Sequence, residues 1–154
     1  MIGVMAHTIL FGSERLLKGI LNNENTSDII KQSYLDAGLS KSGINIANDI
    51  LEIRRKPNLN TFKSKLNTLA ITILSQEEMD QLEKERLLAM ISTAKNSLAY
   101  WNEFRKKPTY SEIVSKKIDY DEAGVWDTIG ALFGPEGAAG ASIGNIIGQI
   151  IMEK

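Results

Sequence analysis

Along most of the chain, apolar residues recur at three- and four-residue spacing. No segment alternates with the period of two that a half-buried strand requires. The pattern predicts one helix after another. A first helix over about residues 2–22 carries Leu16, Leu17, Ile20 and Leu21 on its inner face, with a weak point at Gly12. After the polar run Asn22-Asn23-Glu24-Asn25, Thr26 or Ser27 is placed to cap a second helix over about 28–37, which carries Ile29, Ile30, Tyr34 and Leu35. Gly38 falls where a left-handed C-cap is wanted. Ser40 or Ser42 restarts the chain, and Ile44, Ala47, Ile50, Leu51 and Arg54 share one side of a third helix that Pro57 ends. Asn58 or Asn60 is placed to cap a fourth, striped by Phe62, Leu66, Leu69, Ala70 and Ile73.

Ser75-Gln-Glu-Glu78 has the spacing of a capping box, in which the hydroxyl and the carboxylate each satisfy a free amide. It opens the longest stretch without Gly or Pro, about 76–106, where Met79, Leu82, Leu87, Met90, Ile91, Ala94, Leu98 and Trp101 keep the helical rhythm. This segment is expected to be the central helix. Thr109-Tyr-Ser-Glu112 is a second candidate box, opening a short helix to about Ile118.

The pattern then changes. Between Ala123 and Met152 lie seven glycines and no Lys or Arg. Gly134-Pro-Glu-Gly137 reads as a turn, which makes the segment a helical hairpin of about 122–133 and 136–152. Gly140, Gly144 and Gly148 are spaced by four and fall on one narrow side of a helix, and Gly130 and Gly134 repeat the spacing. Each glycine costs a helix interior about 1 kcal/mol relative to alanine. Such a row is expected where another backbone approaches closely. The remaining faces carry Ile143, Ile146, Ile147, Ile150 and Ile151, so the segment is either buried or covered by a partner or lipid. The run from Gly137 to Met152 has 16 residues, short of the ~20 that span a bilayer.

Composition narrows the function classes. The chain has 154 residues, 43% hydrophobic and 24% charged, with a net charge of −1. This suits one globular domain and gives no global field toward nucleic acid or anionic lipid. The absence of cysteine excludes disulfides and thiolate chemistry, and a single histidine, His7, excludes a His-rich metal site. The apolar start, residues 1–12, precedes the first basic residue, Arg15. It reads as a first core helix, with a membrane-inserting segment or an export-signal remnant as alternatives.

Several local clusters hold residue types that chemistry could use. Asp119, Asp121, Gly124 and Asp127 match four positions of a calcium loop, but Ala123 and Gly130 stand where two further ligands are required. They read better as an acidic helix start. Tyr100-Trp101 with Arg105-Lys106-Lys107 is too small a basic cluster to indicate nucleic acid. Arg54-Arg55-Lys56 suits a helix C-terminus. Glu77, Glu78, Asp80, Glu83 and Glu85, mixed with Lys84 and Arg86, read as a solvated face. No nucleophile elbow, phosphate-binding loop or dinucleotide fingerprint is present.

Residues 94–152, with Ala94-Lys-Asn-Ser-Leu-Ala-Tyr-Trp101, an acidic stretch and then Gly-Ala-Leu-Phe-Gly-Pro-Glu-Gly-Ala-Ala-Gly-Ala-Ser-Ile-Gly, resemble small uncharacterised bacterial proteins with a Tyr-Trp-ended helix and a Gly/Ala-rich tail. The tail is also similar to glycine-zipper segments of small bacteriocins. The resemblance implies a bacterial helical protein, exported or not, and assigns no catalytic residue.

The sequence therefore predicts an all-α bundle of six to eight helices, with a body over 1–122 and a Gly-rich hairpin over 123–154 packed on it. The expected function is non-enzymatic. The protein binds a protein partner or itself through Gly130, Gly134, Gly140, Gly144 and Gly148, without cofactor, metal or nucleic acid. The alternative is a membrane-active protein using residues 123–152.

Overall fold

A computed structural model describes residues 2–105 and 119–152. Seven α-helices lie within them: α1 Ile2–Leu21, α2 Thr26–Asp36, α3 Lys41–Arg55, α4 Phe62–Ser75, α5 Gln81–Arg105, α6 Tyr120–Gly130 and α7 Pro135–Met152, with a 3-10 turn Ala131–Phe133 between the last two. No strand occurs among the described residues. The all-α bundle read from the spacing is the fold observed.

Local chemistry explains most boundaries. Asn25, one residue ahead of the expected caps, accepts from Asp28 N at 3.2 Å and starts α2. Gly38, at φ 72°, turns the chain out of α2, and Leu39 N closes back on Tyr34 O. Ser40 Oγ accepts from Gly43 N at 3.1 Å and starts α3.

The expected capping box at Ser75 is not formed. Ser75 is the last residue of α4, and its hydroxyl donates to Thr72 O at 2.9 Å. The long helix starts five residues later, where Asp80 Oδ1 accepts from Glu83 N at 2.8 Å. Ser75 can return its hydroxyl to its own helix because α4 is still turning there, and Asp80 then offers the stronger, charged cap. At the start of α4, Asn58 Oδ1 accepts from Asn60 N within the preceding turn, so neither asparagine side chain caps the helix. The second candidate box and the short helix it would open lie outside the described residues.

The core runs through the bundle along Ile50, Leu66, Ile73, Leu87, Met90, Ile129 and Leu132, all essentially inaccessible. Each such side chain contributes roughly 1.5–3 kcal/mol by leaving water. On α1 only Leu16 and Ile20 of the expected inner face are buried, while Leu17 and Leu21 are 37% and 48% exposed. At about 100° per residue, Leu17 and Leu21 fall on the neighbouring arc of the helix.

The glycine-rich hairpin is built into this bundle. α6 packs on α3 and α5, and α7 packs on α6 and α1. From Ala123 to Phe133 every residue except Asp127 is buried. Gly12 does not weaken α1, which runs through it. The ring of Phe133 lies against the Gly12 backbone, in space a Cβ would need.

Candidate functional site

Of the five glycines predicted as an interaction face, Gly130, Gly134, Gly140 and Gly144 have different surroundings. Gly130 and Gly137 bring α6 and α7 together backbone to backbone: a Cβ on Gly137 would lie 2.6 Å from Gly130 O, and one on Gly130 would lie 2.7 Å from the Ala138 Cα. Gly134 makes the turn between the arms at φ 92°, a conformation that L side chains rarely adopt. Gly144 faces α1, where an added Cβ would come within 2.9 Å of Leu17 Cδ1. Gly140 meets no atom within 4 Å. Gly148 lies in α7, but its side of the helix is outside the described residues.

Beside Gly140 the outer face of α7 is uncovered. Ile143 is 56% exposed, and Leu17 and Leu21 are partly exposed on α1, which packs on α7. Gly144 is seated against Leu17 and Ile20, while Ile143 is turned about 100° away from it.

Beneath the hairpin is a polar centre that sequence reasoning did not anticipate. Arg54, read as part of a basic helix C-terminus, is fully buried. Its Nε donates to Ser97 Oγ on α5 at 2.8 Å and its Nη1 to Asp121 Oδ1 on α6 at 3.0 Å. Its guanidinium lies over Gly124, where no Cβ intervenes. Membership of an apolar stripe at helical spacing was the signal, since a charged residue in such a stripe must be paired when buried.

Nearby, Trp101 Nε1 donates to Asp127 Oδ2 at 2.7 Å, and the Trp101 ring stacks on Tyr120 with centroids 5.4 Å apart. Burial pushes the Asp127 carboxyl above the ordinary carboxylate range, while Ser142, Trp101 and the Arg54 charge act in the opposite direction.

The carboxylates that resemble a calcium loop therefore serve separate purposes. Asp119 caps α6 by accepting from Glu122 N, Asp121 pairs with Arg54, and Asp127 accepts from Trp101. Asn145 Nδ2 on α7 donates to Glu122 Oε1 at 3.1 Å, and Gln149 bonds the Asp119 backbone, tying the far arm of the hairpin to the start of the near one. Among the described residues no cluster of three potential metal ligands occurs.

The acidic face read along α5 needs one correction. Glu83 is buried, and its Oε2 accepts from Ser40 N at 2.7 Å and Ser40 Oγ at 2.8 Å. Arg86, one turn on, is also buried and donates to Ala37 O. α5 thus holds an anion to the N-terminus of α3 and a cation to the C-terminus of α2, each opposite the end of the helix dipole it favours.

A cleft of about 580 Å³ between α2 and α3 is lined by Ile30, Tyr34, Ile44, Asn48, Leu51 and Arg55 among others, with Glu52 the one carboxylate among its described lining residues. No helix among the described residues is long and apolar enough to cross a membrane. No protein family, curated protein or solved structure matches the chain at a significant level.

Proposed function

We propose that this is a non-enzymatic helical interaction protein, and that its C-terminal glycine-rich helix supplies the binding surface. The single observation that carries the reading is the uncovered outer face of α7. There Gly140 meets nothing within 4 Å and Ile143 is 56% exposed, and the packed α1 leaves Leu17 and Leu21 half-exposed. The same segment spends Gly130 and Gly137 on joining the hairpin and Gly144 on seating α1. Gly140 is left to admit something from outside, as close approach to a helix backbone requires a missing side chain. A contiguous exposed apolar patch marks a protein or membrane contact.

A photo-crosslinking residue placed at Ile143 in the protein's own cells tests the reading. Adducts to one discrete protein, this chain included, support it. Adducts to lipid alone, or none at all, overturn it, and lipid adducts would favour the membrane-active alternative.

A further inference from the structure

The surface shared by α1 and α7 carries a charge pattern that points to its occupant. Leu17 and Leu21 of α1 and Ile143 of α7 are exposed, and Gly140, one turn before the Gly144 that meets α1, has no atom within 4 Å of an added Cβ. Along the α1 edge, on the same side as Leu17 and Leu21, stand Glu14 and Lys18, both exposed. Neither takes part in an ion pair among the described residues. One anion and one cation thus stand a single helical turn apart beside these exposed leucines.

We propose that a second copy of this chain covers this surface, the two copies being related by a twofold axis. The proposal rests on the reading of α7 as a binding surface and names its partner. In a twofold contact every pairing across the interface occurs twice, so a face must complement itself. An acid and a base one turn apart do so when the two α1 helices lie antiparallel, with Glu14 of each copy opposite Lys18 of the partner subunit. A nucleic acid or an anionic membrane would instead be matched by an excess of cations, yet Ala123 to Met152 holds no Lys or Arg. The attraction comes from the apolar residues. The exposed ion pairs add little affinity and set orientation and register. Gly140 lets an apolar side chain of the second copy reach the α7 backbone.

Sedimentation of the full chain over a range of concentrations tests this, with thermal melts to confirm that each variant folds. The wild type is expected to pass from monomer to dimer, and Ile143→Glu to stay monomeric without loss of fold. Glu14→Lys and Lys18→Glu are each expected to weaken the dimer roughly tenfold. The double variant Glu14→Lys/Lys18→Glu should restore it, as should an equimolar mixture of the two single variants. A dimer that Ile143→Glu dissociates but charge exchange does not restore overturns the antiparallel α1 contact and leaves the use of α7 standing. A chain that is monomeric throughout, or a dimer indifferent to Ile143→Glu, overturns self-association through this face. Cross-linking from Ile143 to a different protein would then still support the wider reading.

Discussion

The guanidinium of Arg54 occupies the space that any side chain at position 124 would need. A Cβ built on Gly124 would fall inside van der Waals contact with Nη2, Cζ and Nε of Arg54. Helix α6 can therefore pass over the buried arginine only because it carries glycine there, and Asp121, one turn earlier, supplies the carboxylate.

Gly124→Ala separates two opposing effects. Alanine in a helix interior is favoured over glycine by about 1 kcal/mol, whereas overfilling a packed site costs about 1–3 kcal/mol. Because the obstacle is fully buried and held by Ser97 and Asp121, a net loss of stability is expected in urea unfolding. A stabilised variant would show that Arg54 is not seated as described.

Two glycines of the same row should respond with opposite signs. Gly130→Ala sets a methyl against the backbone of Gly137 and Ala138, which cannot rotate away, so the arms of the hairpin must separate and stability should fall by 1 kcal/mol or more, roughly the cost of overpacking. Gly140→Ala meets nothing within 4 Å and should stabilise the monomer by up to about 1 kcal/mol. Equal responses at the two sites would contradict the geometry.

Asp127 should make stability rise as the pH falls. Its folded pKa lies above the ordinary value because burial penalises the charged form. The cost is fully present above the folded pKa, where the carboxyl is ionised in both states. It is relieved as the pH drops from the folded pKa toward the unfolded value near about 3.9, because the folded state there holds more protons. Asp127→Asn keeps an acceptor for Trp101 Nε1 and removes the ionisation. Unfolding measured as a function of pH should show this contribution in the wild type and lack it in the variant.

Glu83→Gln tests the anchor between α5 and α3. The amide can still accept from Ser40, but the charge at the helix N-terminus is lost, which should cost roughly 0.5–2 kcal/mol. Were Glu83 on a solvated face, the denaturation midpoint would not move.

Much of the architecture was legible along the chain. The spacing of Ile50, Leu66, Leu87, Met90 and Leu98, the glycine at position 38 and the turn at Gly134 are local signals, because helix periodicity, capping and left-handed backbone depend on residues within a few positions of one another. For the same reason the glycine-rich segment was readable as a hairpin. Ser75 was misleading because two helix ends compete there, and a capping pattern states that a cap can form without saying which helix takes the hydroxyl.

Sequence alone determined that this chain is helical, where its helices pass into turns, and that its C-terminal segment needs close neighbours. Tertiary structure alone decided which neighbour each residue received. Arg54 reads as part of a basic helix end and Glu83 as part of a solvated face, yet Ser97, Asp121 and Ser40 stand 43, 67 and 43 residues away along the chain and make their burial tolerable. Gly130, Gly140 and Gly144 were likewise sorted by how α1 and α6 meet α7. Such pairings depend on how whole helices cross, and a crossing is set by many side chains packing at once, which no local pattern records.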